Sequence, residues 1–86
     1  MTSEVKQLVV EAKEVSAEAY KIKKAHFNHI DNEADQEKYD MLNKKYYRIL
    51  DKIIVIKNYK GESGYHGRTS QDLARLFVNA NYKLAK

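Results

Sequence analysis

The chain has 86 residues, no Cys, no Pro and a formal net charge of +4. That length holds one small domain, the absence of Cys excludes a disulfide framework and a thiolate metal site, and no apolar stretch approaches the roughly 20 residues that a membrane span needs. A proline-free composition rich in Lys, Glu, Ala and Leu favours long, uninterrupted helices.

Charge is unevenly distributed. Residues 1–40 carry six Lys and nine Asp or Glu, whereas residues 41–86 carry ten Lys or Arg and three acids. The N-terminal stretch Met1-Thr2-Ser3-Glu4 has no basic region leading into an apolar run, so no secretory signal is expected and the chain reads as cytoplasmic.

The first predicted helix runs from Ser3 to about Ile30. Val5, Leu8, Ala12, Val15, Ala19, Ile22, His26 and His29 recur at alternating steps of three and four, the seam of a helix that packs lengthwise on a partner, as in a coiled coil. Glu4, Glu11 and Glu18 recur every seven residues on another face and read as a solvated flank. His26 and His29 have the spacing of half a metal site, with Asp31 or Glu33 nearby. No H-E-x-x-H motif supports that chemistry, so no metal is expected.

Asp31 to Asp35 forms the predicted turn, with Asn32 as N-cap and Asp35 as its partner three residues on. The second helix is predicted from about Glu33 to Tyr59, with Tyr39, Leu42, Tyr46, Ile49, Ile53 and Ile56 on its seam. Around Ile53-Ile54-Val55-Ile56 this helix is apolar on every side, which predicts burial on every side by a third helix or a second subunit. The β-branched run also suits a short strand. Lys45, Arg48 and Lys52 lie along one flank, a candidate nucleic-acid stripe or a solvated face. Tyr47, Tyr59, Tyr65 and Tyr82 are candidate base-stacking groups, whereas Tyr39 and Tyr46 read as core or interface.

All three glycines fall in the loop predicted at 60–69. Backbone N–H groups freed by glycine form concavities that bind anions. Thr69 reads as the N-cap of a third helix over about 70–85, with Asp72 completing a capping box. The start of that helix favours a phosphate, and Arg68 brings a planar fork suited to phosphate oxygens. The ligand-binding residues expected here are Gly64, Tyr65, His66, Gly67, Arg68, Thr69 and Ser70, extended along the helix by Arg75, Asn79 and Lys83. The loop does not have the G-x-x-x-x-G-K-[ST] spacing of a phosphate loop, and an ordinary connector between helices is the competing reading.

The pattern Ala74-Arg75, Val78-Asn79 and Tyr82 resembles the last helix of small phage helical-hairpin proteins that sequester cyclic-nucleotide signals. The resemblance covers about nine residues. It implies a small nucleotide as ligand.

The expected fold is all-α, a single helical domain made of a long antiparallel hairpin plus a short C-terminal helix, completed by homo-oligomerisation because so short a chain buries a modest fraction of its surface alone. The expected function is non-enzymatic binding of a phosphate-bearing ligand, nucleic acid or a small nucleotide. The alternative is a protein-interaction module, an antitoxin, inhibitor or adaptor, that docks a partner protein through an apolar helix face. No nucleophile with an adjacent base, paired carboxylates or cofactor motif points to catalysis.

Overall fold

The computed structural model describes residues 1–26, 29–61 and 67–85, and its regular structure is three helices: α1 (Ser3–Ala25), α2 (Glu33–Lys57) and α3 (Ser70–Ala85). No strand occurs among the described residues, so 53–56 are helical. Also among these residues, no helix is long and apolar enough to cross a membrane.

Each helix boundary has a local cause. The Val5 amide donates to Thr2 Oγ1 at the start of α1, and the Asp35 amide to Asn32 Oδ1 at the start of α2. Each bond satisfies one of the amides that a helix leaves unpaired in its first turn. At the far end of α2, Asn58 adopts the left-handed conformation (φ 55°). The Asn58 and Tyr59 amides turn back to the Val55 and Ile54 carbonyls, a Schellman closure.

α1 ends at Ala25 rather than near Ile30. His26, predicted on the helical seam, is instead the C-cap residue. Its Nε2 lies 2.8 Å from Asp35 Oδ2 and its Nδ1 3.4 Å from Asp31 Oδ1. This pairing ties the end of α1 to the start of α2. The turn thus begins where the imidazole meets two carboxylates, which hydrophobic spacing does not reveal. His29 is exposed and outside the helix. Among the described residues no cluster of three His, Cys, Asp or Glu is arranged to hold a metal.

The core is one cluster. Val5, Leu8, Val9, Ala12 and Val15 of α1 meet Ile49, Leu50 and Ile53 of α2 and Ala74 and Val78 of α3. It therefore occupies the first half of α1 and the second half of α2. The reason is the length of α3, whose 16 residues span about 24 Å at 1.5 Å per residue and cover only part of the two longer helices. Tyr59 and Phe77 close one edge of the cluster edge-to-face, with ring centroids 6.4 Å apart.

Within one chain the 53–56 run is not completely buried. Ile53 is fully buried, but Val55 is 78% exposed and Ile56 43% exposed. α1 and α3 cover the side of α2 that carries Ile49, Leu50 and Ile53 and leave the opposite side to solvent.

Candidate phosphate-binding groove on the third helix

The start of α3 is a closed capping box. The Asp72 amide donates to Thr69 Oγ1 at 3.1 Å, and the Thr69 amide donates to Asp72 Oδ2 at 3.2 Å. The Leu73 amide reaches the Thr69 carbonyl at 3.1 Å. Of the first-turn amides, those of Ser70 and Gln71 remain, and Gly61 lies against the first of them. A Cβ at Gly61 would stand 3.4 Å from Ser70 N. The cap that starts α3 thus uses part of the donor set expected for an anion. Replacing Thr69 with Ala removes one of its two reciprocal bonds and is expected to lower stability by about 0.5–2 kcal/mol, measured by urea denaturation.

The remaining cationic groups lie one and two turns along. Arg68, Asp72, Arg75, Leu76 and Asn79 line an open groove of about 350 Å³. α3 supplies all but Arg68, because positions 72, 75, 76 and 79 share one face at helical spacing. Arg75 is half-buried, and its position is set from α2. Its Nη2 donates to the Tyr47 hydroxyl at 2.6 Å. The guanidinium carbon lies 5.4 Å from the centroid of the Tyr47 ring and 6.0 Å from that of Tyr46, within cation–π range. Its Nε is buried and meets no acceptor among the described residues. Burial pushes the Tyr46 phenol above its ordinary pKa, against the opposing pull of the Arg75 charge. Asn79 is held from α1, accepting through Oδ1 from Lys13 Nζ at 3.0 Å, and Lys13 also lies 5.9 Å from the Tyr82 ring centroid.

Of the residues singled out in the sequence, Arg68, Arg75 and Asn79 come together in this groove. Gly67, Thr69 and Ser70 lead into α3, and Lys83 is exposed one turn beyond Asn79 without lining the groove. Gly64, Tyr65 and His66 lie outside the described residues. Lys45, Arg48 and Lys52 are exposed on α2, where Lys52 borders a different groove. Three participants were not read as such from sequence. Asp72 is a groove wall as well as a cap, Tyr47 anchors Arg75 rather than standing free, and Lys13 fixes Asn79. These pairs are 28 and 66 residues apart, and no local pattern signals them.

The groove holds two guanidiniums against one carboxylate, with an apolar edge at Leu76 and tyrosine rings behind Arg75. Such a set suits a ligand with both anionic oxygens and a flat or apolar part. Compared with known protein families, with curated proteins and with solved structures, the chain matches none.

Proposed function

We propose that this protein is a small non-enzymatic binder of a phosphate-bearing ligand, held at the start of α3. The observation that carries this reading is the convergence of Arg68 and Arg75 on one groove. Arg75 is braced by Tyr46 and Tyr47. Tyr47 takes one guanidinium donor and Tyr46 engages the same group, and phosphate oxygens are natural acceptors for the donors that face the groove. The size of the groove favours a small nucleotide over a polymer. A polymer would call on Lys45, Arg48 and Lys52, and its binding would fall steeply with salt.

In the same reading α1 and α2 form an antiparallel hairpin, with α3 laid across the end that holds the core. Self-association covers the apolar surface that α3 leaves open. The binding activity is tested by titrating ATP, inorganic phosphate and a single-stranded oligonucleotide into the protein by calorimetry at two salt concentrations. ATP binding that is lost in Arg68→Ala supports the groove. Unchanged affinity in that variant removes it.

A further inference from the structure

A second groove, on the side of the molecule that α3 does not cover, lies between the start of α1 and the end of α2. Its volume is about 630 Å³. Its floor is apolar, built from Leu8, Val55 and Ile56, and its rim is charged, with Glu4 and Glu11 from α1 and Asp51 and Lys52 from α2. Glu4 and Glu11 belong to the heptad row Glu4, Glu11, Glu18 on α1, whereas Asp51 stands beside Lys52 on α2. Lys52 belongs to the row Lys45, Arg48, Lys52 on α2, whose three cations are all exposed. Met41 continues that α2 face and is 71% exposed. The two rows therefore flank one surface, three negative charges beside three positive ones, with Asp51 next to the basic row.

Among the described residues neither row is neutralised by an ion pair. No Lys or Arg among them lies within ion-pair distance of an acid, and the acids that meet His26 are Asp31 and Asp35. Glu11 and Lys52 border the same groove without forming one. We propose that this surface pairs with the same surface of a second copy, in an isologous dimer whose two-fold axis runs along the helices between the rows.

The register supports this occupant. Such an axis exchanges the two rows and keeps each residue at its own level along the helices. Glu4, Glu11 and Lys52 all line the groove, which brings the start of the acidic row beside the end of the basic one. Because the start of α1 lies beside the end of α2, one heptad forward from Glu11 reaches Glu18 while one heptad back from Lys52 reaches Lys45. The acidic row of one copy then lies opposite the basic row of the other, twice over, with the exposed Val55 and Ile56 of both copies between them. The two rows thus meet with opposite sign, Asp51 being the acid that stands beside the basic row, and such complementarity is what a specific isologous contact requires. Two helices about 35 Å long and together about 20 Å wide offer about 700 Å² per copy, or about 1,400 Å² in total. That lies in the range of stable interfaces. A nucleic acid fits this surface less well, because the acidic row runs beside the basic one and repels phosphate.

This proposal rests on the self-association in the reading above and is independent of its ligand site. The test uses two variants of the full chain, Glu4→Lys/Glu11→Lys/Glu18→Lys and Lys45→Glu/Arg48→Glu/Lys52→Glu, with circular dichroism as the control for folding. At low salt, sedimentation equilibrium of the unaltered protein is expected to give two chains or a multiple of two. Each variant alone, with both rows of one sign, is expected to lose the pairing and halve in mass. An equimolar mixture of the two variants is expected to recover it, with one chain of each kind per pair. If either triple variant fails to fold, the single exchanges Glu11→Lys and Lys52→Glu carry the same comparison.

An unaltered protein that sediments as one chain overturns both the pairing and the self-association. An assembly of unchanged mass in both variants leaves self-association standing and overturns this surface. A nuclease-sensitive mass lost only from the variant of the basic row overturns it in favour of nucleic acid.

Discussion

Replacing Ile53 with Asp is expected to unfold the protein, whereas the same substitution at Val55 leaves it folded. Ile53 is fully buried where α1, α2 and α3 meet. Truncation to Ala already removes about 2–5 kcal/mol through lost burial and an unfilled cavity. A carboxylate at that position must also either stay charged without a partner or take up a proton, and both cost free energy. Domains of this size have roughly 5–15 kcal/mol of net stability, so the combined loss is comparable to the whole. Val55 is only two residues away but 78% exposed, and changes at such positions usually stay within about 0.5 kcal/mol. Urea denaturation at a low, fixed protein concentration checks both, since association would otherwise add to the apparent stability. A Val55→Asp protein that unfolds alongside Ile53→Asp would mean that the exposed face of α2 is core.

This contrast also shows what hydrophobic pattern conveys. The α1 seam was legible because Val5, Leu8, Ala12, Val15 and Ala19 repeat at helical spacing and are all buried. The caps at Asn32 and Thr69 were legible because their chemistry is local, completed three residues away. The apolar run of α2 was legible as a helix face in need of cover, but not as one that the chain itself leaves half exposed. That outcome depends on where α3 lands, and its landing is set by contacts of Ala74 and Val78 with residues far away in sequence. The end of α1 was misplaced for a related reason. Spacing placed His26 on the seam, while in the structure it caps α1 and meets Asp35 at the turn.

The candidate site divides in the same way. Arg68, Arg75 and Asn79 were chosen for their charge, hydrogen-bonding capacity and helical spacing, and they do line one groove. The glycines drew attention to backbone amides. Closure of the capping box by Asp72 moves the weight of the proposed site from those amides to the guanidiniums. The Tyr47 anchor of Arg75 comes from another helix and has no trace in the local sequence.

That anchor supports the second large expected effect. Arg75→Met keeps a long side chain against Tyr46 and Tyr47 and removes the charge and every donor. If Arg75 holds phosphate oxygens, nucleotide affinity should fall about 10- to 100-fold, since hydrogen bonds to charged groups contribute roughly 1.5–3 kcal/mol. Arg75→Lys should fall between the two, because an ammonium keeps the charge but lacks the planar fork that bridges ring and anion. Tyr46 supplies a readout that needs no ligand. Its phenol is already raised by burial, and the Arg75 charge opposes the rise. Removing that charge while keeping the bulk should raise it further, seen as delayed phenolate absorbance in an alkaline titration. The sign for stability follows. A raised phenol favours the folded state fully below its unfolded value near 10.0 and loses that contribution as pH climbs through the folded value. If Arg75→Met moved the Tyr46 titration upward and left nucleotide affinity unchanged, Arg75 would be a structural brace between α2 and α3, and the proposed phosphate contact would fall to Arg68 alone.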